Sequence, residues 1–147
     1  MPNKSSLPGI QFHFLQKDAY PKERQRLKAF IVSIFKKEKA PLKAIRYIFC
    51  SDDYLLGINQ QFLQHNYYTD IISFNLADKK DPVDGEIYIS SDRVRENARE
   101  LNQYYYIELN RVIFHGALHL CGYKDKTPAN SRLMRQKEDQ YLKAYFK

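Results

Sequence analysis

Two histidines, a glycine and an aspartate recur at a chemically useful spacing in the segment HGALHLCGYKD, residues 115–125 of the 147-residue chain. Histidines four residues apart lie on the same face of a helix, so His115 and His119 can direct ring nitrogens at one ion. Gly122 can end this helix and turn the chain, which returns Asp125 towards that ion. Two imidazoles and a carboxylate suit zinc, and three protein ligands leave a fourth position open, as in catalytic sites. The spacing predicts one Zn²⁺ per chain, held by His115, His119 and Asp125.

The residue after the first histidine decides between classes of metal chemistry. Histidines at this spacing also occur in cores and on surfaces without a ligand, but the turn glycine and third ligand favour a metal. The same spacing occurs in metzincin proteases, where a glutamate directly after the first histidine serves as the general base. Gly116 stands there instead, which disfavours a peptidase. Asp70 and Glu86 are distant candidates for the missing carboxylate, although each could equally cap or solvate a strand end.

The charge of the chain is unevenly distributed. The net charge is +7; residues 1–50 carry 11 Lys/Arg against 3 acidic residues, 51–110 carry 5 against 11, and 111–147 carry 8 against 3. Basic segments at both ends of an acidic middle can form a positive surface that attracts polyanions, RNA above all. A well-solvated basic surface without a partner is the equally weighted alternative.

Composition places the chain among globular proteins: 44% of its residues are hydrophobic and 28% are charged. Its two cysteines, Cys50 and Cys121, form no disulfide framework, which fits a reducing compartment. The sequence contains no long apolar run of the kind that spans a membrane and no signal-peptide pattern. We therefore expect a cytoplasmic protein without a membrane partner.

Hydrophobic periodicity predicts an α+β fold for a single domain, residues 1–147. Alternating residues indicate strands, and apolar stripes at helical spacing indicate helices. Strands are predicted at 10–15, 42–51, 69–75 and 86–90, and helices at 20–40, 53–63, 92–105, 107–121 and 128–146. We expect a small mixed four-stranded sheet with about five surrounding helices, and the metal site on a helix and the following turn.

Three segments together resemble a known family. HGALHLCGYKD, with TDIISF (69–74) and GEIYIS (85–90), is similar to the YbeY family of rRNA maturation factors, proposed single-strand-specific metallo-endoribonucleases. The resemblance implies a zinc-dependent endoribonuclease that acts in small-subunit rRNA 3′-end maturation and ribosome quality control. It implies rRNA of the small ribosomal subunit and single-stranded RNA as partners. His115 and His119 match the first two zinc ligands of the family.

The chain departs from the family pattern at three positions. Asp125 stands where the family has a histidine ligand, and Lys124 where it usually has an aspartate. Leu63 stands where many members have an arginine thought to serve RNA binding or cleavage. His65 is the nearest replacement, with an ordinary loop histidine as its alternative. The catalytic residue is therefore unassigned, and His65 and Asp70 are its candidates.

The basic residues near the metal motif are predicted RNA contacts: Lys124, Lys126, Arg132 and Arg135, together with basic side chains of the N-terminal helix. Tyr67 or Tyr68 could stack bases. Two other readings are a ribosome-assembly RNA-binding factor with a non-catalytic zinc and, less favoured, a metallopeptidase.

Overall fold

Four strands and five helices occur in residues 9–17 and 20–147, the part of the chain that the computed structural model describes. The predicted α+β class is confirmed. The strands are β1 (Gly9–Phe14), β2 (Leu42–Cys50), β3 (Ile71–Asn75) and β4 (Val83–Ser90). The helices are α1 (Arg24–Lys37), α2 (Asp52–Leu63), α3 (Ser91–Glu100), α4 (Tyr105–Leu120) and α5 (Pro128–Tyr145).

The four strands form one mixed sheet in the order β1-β2-β4-β3. β1, β2 and β4 are parallel, and β3 pairs antiparallel with β4 at one edge. Parallel strands need crossover connections, which α1 supplies between β1 and β2. Within the described residues, no strand pairs with β3 on the side away from β4, and this side is its free edge.

The hydrophobic cores on the two faces of the sheet differ in size. Side chains alternate between faces along a strand, so Ile87 and Ile89 of β4 join the large core while Tyr88 joins the small one. The large core also takes the buried faces of α1 and α4, and the end of α5 packs into it. α2 covers part of the opposite face, where Leu55 and Ile72 are buried.

Helix α4 carries the predicted metal histidines and is the most deeply buried helix. Leu109, Ile113 and Phe114 are among its fully buried side chains. It packs against β3 and β4 on one side and against α1, α3 and α5 on others. A helix fixed by so many neighbours holds its side chains in defined positions, which a metal site requires.

Several helix ends follow local capping chemistry. The hydroxyls of Ser51, Ser90 and Thr127 accept hydrogen bonds from the first turns of α2, α3 and α5. α3 ends at Glu100, earlier than predicted, because the chain turns at Asn102 with a positive φ of 53°. β4 begins at Val83, earlier than predicted, because Val83 pairs with Leu42 of β2. Within the described residues, no helix has the length and apolar character that crossing a bilayer requires.

Candidate metal centre

The two histidines of α4 and the aspartate of the following turn lie together. His115 Nε2 is 3.2 Å from Asp125 Oδ2, and His119 Nε2 is 3.4 Å from Asp125 Oδ1. The three ligand atoms all lie within 4.8 Å of one another. Gly122, with φ of 113°, follows α4 and allows the chain to turn back as its spacing predicts.

The donor set fits a divalent metal ion. Two imidazole nitrogens and a carboxylate oxygen within 4.8 Å of one another are donor atoms of the kinds that zinc and similar divalent ions accept. All three side chains are partly exposed, so a fourth position can face the solvent. The group could therefore hold a metal ion with one position open.

Glu138 of α5 hydrogen-bonds the ring nitrogen of His115 that faces away from Asp125. His115 Nδ1 donates to Glu138 Oε2 over 2.7 Å, which leaves Nε2 directed at Asp125. Burial lowers the pKa of His115, but the hydrogen bond and negative charge of Glu138, with the charge of Asp125, outweigh it and raise that pKa. A carboxylate in this position fixes the ring orientation and makes the imidazole a stronger ligand.

Arg111 lies one turn before His115 and neutralises the buried carboxylate. Its guanidinium is 3.3 Å from Glu138 Oε1 and 2.8 Å from Asp139 Oδ1. Glu138 is only 5% exposed, and a buried carboxylate needs such partners. Arg111 therefore pairs with the carboxylate that orients His115.

The turn that carries Asp125 is tied to two helices through Glu38, the residue that follows α1. Tyr123 Oη donates to Glu38 Oε1 over 2.6 Å, and Tyr141 Oη and Lys137 Nζ of α5 contact Oε2. Burial raises the pKa of Glu38, but the two tyrosine hydrogen bonds and Lys137 outweigh it and lower that pKa. The position two residues before Asp125 is thereby anchored.

A pocket of about 670 Å³ contains His115, His119 and Asp125 in its lining. Three parts of the fold surround them: the end of α2 and its loop, the β3 edge, and α4 with α5. The loop contributes Leu63, His65 and Tyr67, the strand and the residues before it contribute 69–73, and α5 contributes Ser131 and Arg135. The pocket is a cleft with charged, aromatic and backbone groups close to the three candidate metal ligands.

Two carboxyl groups in this pocket have altered acidity. Burial raises the pKa of Asp70, against the lowering effect of the His115 charge, and Asn97 Nδ2 donates to its Oδ2 over 3.2 Å. Burial also raises the pKa of Glu108, against the charge of Arg111. Carboxyl groups shifted in this direction can hold a proton closer to neutral pH than ordinary carboxyls do.

The structure places some of the residues predicted for catalysis and RNA contact in the pocket and others outside it. His65, Asp70, Lys126 and Arg135 line the pocket. Lys124, Arg132 and the basic residues of α1 are not among its lining residues in the described part of the chain. Glu86 lies elsewhere, with Arg46 Nε 3.5 Å and Tyr88 Oη 3.1 Å from its carboxylate.

The packing of α4 against the sheet also explains why a glycine occupies position 116. A Cβ at this position would lie 2.9 Å from Ile71 Cδ1 and 3.0 Å from two side-chain atoms of Ile87. Position 116 therefore faces the sheet. A glutamate there would meet β3 and β4 under α4, which strengthens the case against the zincin arrangement.

Glu138 and Arg111 are the site residues that sequence reasoning missed. The sequence contains a signal for Arg111, because this residue lies four positions before His115 and therefore on the same face of α4. Glu138 had a weaker one: it interrupts the buried stripe of α5 formed by Met134, Tyr141 and Leu142. Nothing in the spacing along the chain connects Glu138 with His115, 23 residues away.

Fold and site together define a class: small α+β proteins in which two helix histidines and a turn carboxylate can hold a metal ion in an open pocket. The sequence profile described as Endoribonuclease YbeY matches residues 11–146. Endoribonuclease YbeY of Cytophaga hutchinsonii is 47% identical over 131 residues, 88% of this chain and 92% of that protein. The Flavobacterium psychrophilum protein of the same name is 49% identical over 116 residues, 79% of this chain and 82% of its own.

A solved structure agrees with these matches. The solution structure of TM1509 from Thermotoga maritima aligns with a TM-score of 0.64 at 32% sequence identity. The alignment covers 95% of this chain and 89% of that one. The chain belongs to the YbeY endoribonuclease family.

Proposed function

We propose that this protein is a zinc-dependent endoribonuclease specific for single-stranded RNA, which acts in small-subunit rRNA 3′-end maturation and ribosome quality control. The observation that carries the proposal is the His115–His119–Asp125 group, placed in a pocket that also contains Lys126 and Arg135. The names of the relatives support RNA as the substrate and hydrolysis as the reaction.

The proposed metal ligands are His115, His119 and Asp125. A bound Zn²⁺ would supply a Lewis acid for the phosphoryl group and a point around which the substrate is oriented. Asp125 carries a negative charge where a third histidine would be neutral, so this donor set binds a divalent cation with less residual positive charge.

The side chains of the pocket supply the remaining functions. Lys126 and Arg135 attract the phosphate backbone, while Glu138 keeps the His115 ring in its ligand orientation. Asp70 is the proposed proton carrier, because its pKa is raised by burial and it lines the same pocket. His65 lies in the pocket as a second candidate.

A second function, RNA binding with a non-catalytic zinc, is favoured by one observation. Leu63 is 39% exposed and lines the pocket with an apolar side chain where the family pattern has a cation. In this alternative the protein is a ribosome-assembly factor that holds RNA without cleaving it. A metallopeptidase is disfavoured by Gly116.

We further propose that residues 1–147 act as one cytoplasmic metallohydrolase domain with the small ribosomal subunit as its partner. The single mixed sheet and the continuous core that joins α1, α4 and α5 support one folding unit. The net charge of +7 supports association with a ribonucleoprotein.

The test combines metal analysis with cleavage of end-labelled RNA by the wild type and His119→Ala, purified identically. We expect about one zinc per wild-type chain, cleavage of single strands over duplexes, and loss of both metal and cleavage in the variant. Cleavage by His119→Ala at the wild-type rate would show that a contaminating nuclease or a metal-independent site is responsible. Zinc and RNA binding without cleavage would favour the assembly-factor alternative, and zinc-dependent cleavage of casein would revive the peptidase.

A further inference from the structure

We propose that the stacked rings of His65 and Tyr67 form a subsite on which one base of the single-stranded RNA stacks. The inference rests on the proposed function and names the part of the pocket that selects an unpaired base. It assigns a role to Tyr67, a residue of the loop between α2 and β3 to which the proposed reaction gives none.

The two rings already have the geometry of a stacking platform. Their centroids are 5.0 Å apart and their planes differ by 20°. Tyr67 Oη and His65 Nδ1 are 2.9 Å apart, so a hydrogen bond fixes the rings relative to each other. Among the aromatic pairs of the described residues, the other near-parallel ones, Phe14–Phe49 and Tyr47–Phe49, share the fully buried Phe49.

The platform is accessible from the metal pocket. Tyr67 is 56% exposed, and both His65 and Tyr67 line the pocket that contains His115, His119 and Asp125. Tyr68, the neighbouring candidate, instead donates its hydroxyl to Asp53 over 3.2 Å and is not among the lining residues. The structure thereby distinguishes two adjacent tyrosines that the sequence could not.

A buried amide holds the loop in place. Asn59 of α2 is 1% exposed, and its Nδ2 donates to the carbonyl oxygen of Tyr67 over 2.8 Å. The backbone carbonyl oxygen of Asn59 accepts a hydrogen bond from the backbone nitrogen of His65 over 3.1 Å. One buried residue therefore positions both members of the pair, and binding a base would order few additional torsions.

The rest of the pocket favours a nucleic acid over a peptide as the occupant. Lys126 and Arg135 line it together with the rings, and Arg135 also lies 3.7 Å from Glu138. A ligand that carries both anionic groups and flat rings complements this lining. Each RNA nucleotide carries a phosphate and a flat base. Proteins bind single strands with cations that contact the backbone and aromatic rings on which the bases stack. Stacking also requires an unpaired base, which matches specificity for single strands.

The free edge of β3 lies in the same pocket. Ser90 N donates to Asp70 O, and Leu76 N donates to Asp84 O, so residues 70 and 76 direct backbone groups at β4. In an antiparallel pair, residues that hydrogen-bond to the partner strand alternate with residues that do not. Ile71 and Ser73 therefore direct their backbone N–H and C=O groups away from β4, at an edge that lines the pocket. These groups can hydrogen-bond a base edge or sugar hydroxyl, and they offer the same groups to an extended peptide.

The test uses the zinc-loaded protein and short single-stranded RNAs that carry 2-aminopurine or an abasic residue at one position at a time. Tyr67→Leu removes the ring, Tyr67→Phe keeps it, and Tyr104→Leu makes the matched change at a tyrosine that is 79% exposed and outside the lining of the pocket. Binding is followed by 2-aminopurine quenching, and cleavage by kcat and KM.

Stacking contributes enough that Tyr67→Leu should raise KM and Kd roughly five- to hundredfold with little change in kcat. Tyr104→Leu should stay within about twofold of the wild type. Tyr67→Phe keeps the ring but loses the hydrogen bond to His65, so its KM and Kd should lie between those of the wild type and Tyr67→Leu. Quenching should occur at one RNA position and disappear in Tyr67→Leu, and an abasic residue there should make the wild type and Tyr67→Leu bind alike.

Two outcomes separate failure of this inference from failure of the proposed function. If the wild type binds and cleaves RNA while Tyr67→Leu binds base-containing strands equally well, the subsite is wrong and the endoribonuclease stands. If the wild type neither binds nor cleaves single-stranded RNA, the proposed function fails and the subsite with it. Loss of quenching in Tyr104→Leu would place the base elsewhere and would also overturn the subsite.

Discussion

At the scale of single residues, the metal centre depends on a side chain that never touches the proposed ion. Glu138 accepts a hydrogen bond from Nδ1 of His115, and Arg111 forms an ion pair with the same buried carboxylate. A ligand histidine without such a partner can rotate, and either of its nitrogens can carry the proton. The orientation of His115 is therefore set by α5, although the ligand itself belongs to α4.

Replacement of Glu138 tests this role. We expect Glu138→Gln to weaken metal affinity by about ten- to a hundredfold, since the ring loses the anionic acceptor that orients it. The measurement is a competition titration of the metal-free protein with Zn²⁺ or Co²⁺ against a chelator. Asp139→Asn is the matched control, because Asp139 also binds Arg111 but is 58% exposed. Equal affinities for wild type and Glu138→Gln would contradict the role.

At the scale of secondary structure, the site depends on how closely α4 approaches the sheet. Gly116 lets the helix lie against Ile71 and Ile87, and Gly85 of β4 leaves room for Leu120, whose Cδ1 would be 2.5 Å from an added Cβ. Both glycines lie at the same contact between helix and sheet. The spacing between α4 and β3 also sets the width of the pocket, since both elements line it.

Substitutions at two helical glycines should change stability in opposite directions. Gly116→Val should lower the free energy of unfolding by about 1–3 kcal/mol, because the added carbons overpack the contact with the sheet. Gly57→Ala in α2 should raise it by about 0.4–1 kcal/mol, because a Cβ there meets nothing within 4 Å. Urea denaturation of the metal-free proteins measures both. A Gly116→Val protein as stable as the wild type would mean that α4 can move away from the sheet without cost.

At the scale of the whole molecule, only some of the basic residues lie in the pocket. Lys126 and Arg135 line the pocket, whereas Lys43 and Lys143 are exposed outside its lining. Screened surface charges attract RNA from solution, but only cations in contact with phosphates release counterions on binding. The two classes of basic residue are therefore distinguishable by salt dependence.

The salt dependence of RNA affinity should identify the cations in contact with phosphate. For single strands each contact contributes about 0.7 to the slope of log affinity against log salt concentration, so Lys126→Gln with Arg135→Gln should flatten the slope by about 1.4. Lys43→Gln with Lys143→Gln changes the net charge equally and should leave the slope almost unchanged. Fluorescence anisotropy across a range of salt concentrations measures it. Equal slopes for both double variants would remove the phosphate role of Lys126 and Arg135.

The sequence determined much of this protein by itself, because those features depend on local spacing. The i, i+4 histidines, the turn glycine and Asp125 predicted a group that the structure brings together. Alternating and helical apolar patterns predicted four strands and five helices, and Ser51, Ser90 and Thr127 cap helices close to the predicted starts. Such signals act within one or two turns of chain, so they can be read without the fold.

Only the tertiary structure decided which distant residues serve the site. It placed Glu138 behind His115 and directed position 116 into the sheet. It also brought Tyr67 rather than Tyr68 into the pocket, and left Lys124 and Arg132 out of the lining. These outcomes depend on how α4, α5 and the loop after α2 pack against one sheet. Packing of elements far apart in the chain leaves no fixed spacing in the sequence, so the grouping of His115, His119 and Asp125 could be predicted and the residues that support it could not.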